Sequence, residues 1–155
     1  MVTKLQTELK QNKPFKSLEE EVILNVARTA EYLAAAIIGV LKASDLTMTQ
    51  YNVLRILRGA GAEGLTCSEI SERMVTKESD ITRLLDRVES RGFISRERPA
   101  TNRRVVVTRI TDEGLRVLAE LDEPVEETNR SLVGHLGEKK QKTLNELLEA
   151  IRIGD

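Results

Sequence analysis

The stretch from Thr66 to Ile110 limits what this chain can fold into more than any other, because it sets two short amphipathic helices and a β-rich hairpin end to end. Thr66-Cys67-Ser68-Glu69 has the form of a capping box, in which the threonine hydroxyl takes the Glu69 amide and the glutamate carboxylate reaches back to the cap. A helix is predicted to start there, with Ile70 and Met74 on one face until Val75-Thr76 breaks the period. A second pattern begins with Ile81, Leu84, Leu85 and Val88, at the i, i+3, i+4, i+7 spacing of a helix face. Gly92 follows Arg91 where a left-handed residue is wanted and Phe93 sits one position on, so this second helix is expected to stop near Arg91.

Two short helices joined by a three- or four-residue turn make a helix-turn-helix, whose second helix puts its N-terminal residues into a DNA major groove. The polar face offered here is Lys77, Ser79, Asp80, Thr82, Arg83 and Arg87. Placed on a helix, Ser79, Asp80 and Arg83 fall within one turn, so hydroxyl, carboxylate and guanidinium can read neighbouring base edges. A plain solvent-facing helix carries such residues too, and Glu78 and Asp80 near its start also suit the helix dipole alone.

The hairpin favours the nucleic-acid reading. Residues 93–98 and 104–110 are β-rich, and Pro99-Ala100-Thr101-Asn102 between them is turn chemistry, so a two-stranded wing is expected. From Arg91 to Arg109 six arginines (91, 96, 98, 103, 104 and 109) face one acid, Glu97, a local balance of +5 on a chain of net charge −1. A concentrated positive patch is the electrostatic footprint of a phosphate backbone. Arginine suits bidentate phosphate contact and insertion into a narrow minor groove. The candidate wing contacts are Arg96, Arg98, Asn102, Arg103 and Arg104.

Taken in order, Thr47-x-x-Gln50-Tyr51-x-Val53-Leu54, Leu65-Thr66-x-Ser68-Glu69-Ile70, Ile81-Thr82-Arg83-Leu84-Leu85-Asp86-Arg87-Val88-Glu89-x-Arg91-Gly92-Phe93-Ile94, Asn102-Arg103-Arg104 and Ile110-Thr111-Asp112-Glu113-Gly114 resemble the multiple-antibiotic-resistance regulator (MarR) family of winged-helix repressors. The resemblance runs from roughly Leu18 to Ile151. It implies a homodimer on palindromic double-stranded DNA operators, with Ser79, Thr82 and Arg83 in the major groove and Arg103 at the wing tip in the minor groove. It further implies release by a small-molecule inducer held where the first long helix, the Tyr51 helix and the helix after the wing meet the winged domain. Tyr32, Ile37, Tyr51 and Leu115 are the candidate pocket residues, although apolar residues at such places are more often core. Asn102 stands where the family usually has Asp, which removes a charge that could brace the wing, and Asp80 where a neutral residue is more usual.

The remaining sequence supplies a helical frame. Residues 1–16 are polar with little periodicity and are expected to be a loose arm. Ser17-Leu18-Glu19-Glu20 is a capping box opening a helix to about Ala43, with Ile23, Ala27, Ala30, Ala34, Ile37 and Leu41 on one face and Val22, Val26, Leu33 and Val40 widening the stripe. So broad a stripe points to burial in a shared interface. Thr47-Met48-Thr49-Gln50 opens a helix with Tyr51, Leu54 and Leu57 inward, and Gly59, Gly61 and Gly64 end it in a flexible link. Thr111 caps a helix carrying Leu115, Leu118 and Leu121, which Pro124 should kink or break near Asp122. Beyond Gly137 a last helix sets Leu144, Leu147, Leu148 and Ile151 on one face.

Charge is segregated: residues 46–110 hold 12 basic and 8 acidic side chains, leaving 12 against 17 elsewhere. Cys67 is the only cysteine and allows no internal disulfide; its place at a helix start could favour a thiolate, although a small buried cysteine is the commoner state. No signal peptide or apolar run long enough to span a bilayer is read, so a cytoplasmic protein without membrane contact is expected. No His, Cys or carboxylate cluster has metal-ligand spacing, no glycine loop suggests a nucleotide cofactor and no nucleophile-base pair is legible, so neither metal, cofactor nor enzyme is expected. The expectation is a mainly α fold in three parts: an arm (1–16), a helical dimerisation region (17–45 and 111–155) and a winged helix-turn-helix DNA-binding region (46–110). The alternative is a winged helix used as a protein-interaction module.

Overall fold

The computed structural model describes residues 2–154. The chain divides into two compact units, Met1–Ala36 and Ile37–Asp155, with the boundary inside a helix.

In the first unit the expected loose arm contains a short helix, α1 (Lys4–Glu8). Thr3 Oγ1 accepts the Gln6 N–H at 3.3 Å while Gln6 Oε1 accepts the Thr3 N–H at 3.0 Å. Gln6 Nε2 also donates to Lys13 O at 3.1 Å, and Leu5 and Gln6 are buried. Five residues are too few for a helix to hold alone in water; the reciprocal cap and the burial of Leu5 sustain it. Its signal was a Thr-x-x-Gln box too short to show a period.

Helix α2 (Leu18–Leu41) starts as expected, but its cap is displaced. Ser17 Oγ accepts the Glu20 N–H at 3.1 Å, whereas the Glu20 carboxylate takes the Lys16 N–H at 2.6 Å. Leu18, Ile23 and Tyr32 are exposed by 72%, 68% and 66%. Against the expectation of no such run, Leu18–Ser44 (27 residues, mean hydropathy 1.4 over its most apolar 18 residues) is long and apolar enough by length and composition to cross a membrane. Its alanines were read as part of a stripe, and summed with the branched residues from Leu33 to Leu41 they give the segment a long apolar run.

The second unit is a winged helix-turn-helix with helices following it. Helix α3 (Met48–Ala60) opens on the expected box, with Thr47 Oγ1 accepting the Gln50 N–H at 3.2 Å, and buries Tyr51, Val53, Leu54 and Leu57. The link after it is a 3-10 turn, Gly61–Glu63. It leads into β1 (Leu65–Thr66), a strand the sequence reading missed because two residues have no period. Helices α4 (Cys67–Arg73) and α5 (Ile81–Ser90) follow, then β2 (Ile94–Glu97) and β3 (Val107–Ile110). Among the described residues the sheet is antiparallel and three-stranded in the order β1-β3-β2, with Leu65 opposite Thr108 and Ile94 opposite Ile110. Gly64 (φ +68°) permits the approach of β1, since a Cβ there would lie 2.5 Å from Thr108 O.

Helix α6 (Asp112–Val133) runs through Pro124 without the expected break. The proline lies on the exposed face, where water can satisfy the carbonyl it leaves without a donor, and its own carbonyl accepts from Thr128 Oγ1 at 2.8 Å. Val117, Leu118, Leu121 and Val125 bury against the α3 core, and Arg58 on α3 grips Asp122 with two hydrogen bonds of 2.8 and 2.9 Å. Helix α7 (Gly137–Ile153) leaves Leu147 and Ile151 more than half exposed.

Two tests follow from this packing. A Cβ at Gly114 would lie 2.3 Å from Phe93 O, so Gly114→Ala, normally favourable in a helix, is expected to destabilise by about 1–3 kcal/mol. Thermal melting should fall by roughly 3 °C or more. The hydrogen bonds and charge of Arg58 hold the Asp122 carboxyl below its ordinary value of 3.8. Its contribution is therefore present above that pH and lost as pH falls through the lower folded value. The carboxylate is half exposed, so screening keeps the contribution under about 1 kcal/mol; Asp122→Asn should flatten the acid limb of stability against pH by that amount and leave the neutral limb slightly lower.

Candidate nucleic-acid interface

The candidate reading helix is α5. Leu84, Leu85 and Val88 are buried in the core, which turns Thr82, Arg83, Asp86 and Arg87 outward. Its start differs from the sequence expectation. The connection from α4 runs from Met74 to Asp80, seven residues instead of three or four, so Lys77 and Ser79 precede the helix and Asp80 is its N-cap. Asp80 Oδ1 accepts the Arg83 N–H at 3.0 Å, which engages one carboxylate oxygen in capping. Among the described residues the guanidinium groups of Arg83 and Arg87 make no hydrogen bond within the chain. Both border a polar groove of about 310 Å³ between the start of α3 (Thr47, Thr49, Gln50) and the start of α5. Thr49 and Gln50 were not anticipated: the box located their helix, but only the packing shows which face borders α5.

The helix ends where Gly92 was expected to end it. At φ +76° Gly92 donates to Glu89 O at 2.8 Å, and Phe93 N–H reaches back to Val88 O at 3.3 Å, a Schellman termination. Thr111 is joined to this turn, its Oγ1 donating to Gly92 O at 2.6 Å and its N–H to Phe93 O at 3.0 Å. The same hydroxyl accepts the Gly114 N–H at 3.2 Å and so caps α6.

The wing has shorter strands than expected, with a loop from Arg98 to Val106. Pro99 O accepts the Asn102 N–H at 3.1 Å and Asn102 Oδ1 accepts the Arg104 N–H at 3.1 Å. The neutral Asn102 therefore braces the wing through a turn where a charge was expected to be missed.

The six arginines divide by role. Arg96 is mostly buried and binds Glu89 (2.9 and 2.5 Å) and Asp86 (2.5 Å), tying β2 to α5; these carboxylates, Glu89 first, hold its pKa above the ordinary value. Arg91 lies 4.8 Å over the Phe93 ring and donates to the carbonyls of Ser44 and Asp45. Arg109 donates to Ala62 O at 2.7 Å and meets Glu97 at 3.5 Å. Arg98 donates to Arg103 O at 2.9 Å, which stiffens the tip. Arg103 and Arg104 are exposed, with guanidinium groups unpaired among the described residues. The outward positive charge is thus narrower than the count of six suggested, because Asp86 and Glu89, which lie on α5 in sequence, fold onto Arg96.

A separate cavity of about 200 Å³ is lined by Ile37, Met48, Thr49, Tyr51, Asn52, Arg55, Val75, Thr76, Val125 and Asn129. Of the four expected pocket residues it contains Ile37 and Tyr51, and Arg55 lies 5.8 Å over the Tyr51 ring. Leu115 does not line it and is 39% exposed, because the turn of α6 that carries it points it outward, and Tyr32 is a residue of the first unit, 66% exposed. Asn52 and Arg55 were missed as solvent-facing polar positions of α3.

Comparison with known proteins decides the family. The MarR family matches residues 46–106. A MarR transcription factor from Planctomyces limnophilus is 38% identical, with 88% of this chain and 98% of that one covered and a TM-score of 0.67. This chain belongs to the MarR family. Its curated relatives include the HTH-type transcriptional regulator FarR of Neisseria gonorrhoeae, 25% identical over 92% of this chain and 97% of that protein. The fold is also that of Bordetella bronchiseptica BpsR, whose DNA binding is regulated by 6-hydroxynicotinic acid (20% identity, TM-score 0.79, 92% of this chain and 100% of that one covered). As a member of the MarR family the chain is a DNA-binding transcription regulator.

The two classes of arginine separate experimentally. Arg103→Ala is expected to weaken operator binding by about 1–3 kcal/mol and to lower the slope of log affinity against log salt by about one, as for a lost phosphate or minor-groove contact. Arg96→Ala should instead lower the melting temperature and weaken binding with the slope retained, because its charge is already neutralised within the protein. Fluorescence anisotropy across a salt series distinguishes them.

Proposed function

We propose that this regulator is a cytoplasmic repressor that binds a palindromic operator as a homodimer and is released when a small ligand occupies the cavity beside Tyr51. The observation that carries the reading is the pairing of an outward-facing α5, with Thr82, Arg83 and Arg87 unencumbered, and a wing tip that presents Arg103 and Arg104. Arg83 and Arg87 can reach base edges or flanking phosphates, and Thr47 and Thr49 at the start of α3 border the same groove and offer hydroxyls to a phosphate. Arg103 suits the minor groove.

The dimer reading is supported by apolar side chains without cover. Leu18 and Ile23 on α2, and Leu147 and Ile151 on α7, are each exposed by at least 60%. A second copy of the chain would cover them, and dimerisation rather than a membrane then accounts for the apolar character of Leu18–Ser44. The release reading is supported by the cavity, whose apolar walls and single cation, Arg55, suit a small aromatic carboxylate. That is the class to which the 6-hydroxynicotinic acid of BpsR belongs. No catalytic step is assigned to any residue.

A salt titration on mixed-sequence duplex tests the function against the interaction-module alternative. A regulator loses affinity steeply as salt rises, through counterion release; a module that reads protein has no DNA affinity to lose. Dimerisation is tested by melting at several protein concentrations. The expected result is a melting temperature that rises with concentration, since folding and association are then one equilibrium; a concentration-independent melt with a monomer mass in sedimentation would refute it.

A further inference from the structure

Residues Met74–Asp80 lead into α5 and set where its first turn lies, yet most of this connection is exposed, Val75 by 88%. Packing therefore does little to fix it. Among the described residues, one hydrogen bond ties Val75–Ser79 to another helix: the Val75 N–H donates to Asn52 Oδ1, on α3, at 2.9 Å. The contact made by Asp80 N–H with Glu78 Oε1 at 3.3 Å stays within the connection itself.

Resting on the reading of α5 as the DNA-recognition helix, we propose that Asn52 is a positioning residue for sequence recognition: its amide oxygen anchors the connection at Val75 and thereby sets where Thr82 and Arg83 stand. The chemistry suits the task. A side-chain oxygen on a helix packed into the core is a fixed acceptor, whereas the connection has no regular backbone partner for the Val75 N–H, and a polar group held in one place defines a position that apolar contact leaves loose. Loss of the acceptor frees the connection to adopt other paths to the same helix. Contacts to phosphates tolerate such shifts because they are long and charged. Paired hydrogen bonds to base edges do not, so discrimination falls more than affinity for DNA in general. Asn52 also lines the cavity beside Tyr51 and Arg55, and its Nδ2 makes no hydrogen bond among the described residues. An occupant of that cavity and the recognition connection therefore draw on one side chain.

The test uses two variants of the full chain. Asn52→Leu removes the acceptor at similar volume, and Asn52→Asp keeps an acceptor at the same reach. Binding is measured to a duplex selected by the wild-type protein from a randomised pool and to a mixed-sequence duplex, each across a salt series. Asn52→Leu is expected to lower the ratio of specific to non-specific affinity about tenfold with the salt slope unchanged, and Asn52→Asp to restore the ratio. A purely structural role would lower the melting temperature and leave that ratio alone. An Asn52→Leu ratio equal to wild type, or an Asn52→Asp ratio as low as that of Asn52→Leu, overturns the proposal. Should Asn52→Leu fail to fold, hydrogen exchange on the wild-type protein decides: a protected Val75 amide supports the anchor, and exchange at the unprotected rate overturns it. A wild-type protein that binds neither duplex overturns the DNA reading itself, which is a different result from an unchanged ratio.

Discussion

The turn at Gly92 and Phe93 is the junction on which α5, the wing and α6 all depend. Gly92, at φ +76°, ends α5, its N–H donating to Glu89 O while the Phe93 N–H donates to Val88 O. Phe93 is buried immediately after it and launches the wing. Thr111 then donates to Gly92 O and Phe93 O from the far end of the wing and caps α6 with the same hydroxyl. Gly114 lets the first turn of α6 rest against Phe93 O. Helix α5, the wing and α6 thus share one set of backbone contacts, so none can turn without disturbing the others. This is how a region with short strands holds the helix and the wing proposed to read DNA in fixed relation.

Charge within that frame is divided between holding and offering. Arg96 joins the wing to α5 through Glu89 and Asp86, Arg91 bridges to the carbonyls of Ser44 and Asp45, and Arg109 holds the turn at Ala62. Burial of a guanidinium is tolerable only with such partners. Arg83, Arg87, Arg103 and Arg104 remain outward and unpaired among the described residues, two on the helix and two on the wing tip. Arginine here is both internal brace and outward charge, and sequence counting cannot tell the two apart.

That limit explains what was legible in advance. Thr47, Thr66, Thr111 and Gly92 announce helix ends by local chemistry, and each acts as the sequence predicts because a cap needs only residues three or four positions away. The short α1 carries the same box, passed over because Lys4–Glu8 is too brief to show a hydrophobic period. Whatever depends on distant partners was hidden: the pairing of β1 with β3, the capture of Arg96 by α5, and the placing of Asn52 and Arg55 at a cavity while Leu115 faces elsewhere. Of the kink or break expected at Pro124 the break does not occur, because the turn that carries it faces solvent.

The central claim, that two copies of this chain place two α5 helices in successive major grooves, is tested most directly by hydroxyl-radical footprinting on a duplex selected by the wild-type protein. The account predicts two equivalent protected patches related by the two-fold symmetry of the site, with centres one helical turn, roughly 34 Å, apart. Flanking minor-groove protection should disappear in Arg103→Ala. A single protected patch, or protection indifferent to Arg103, would contradict it.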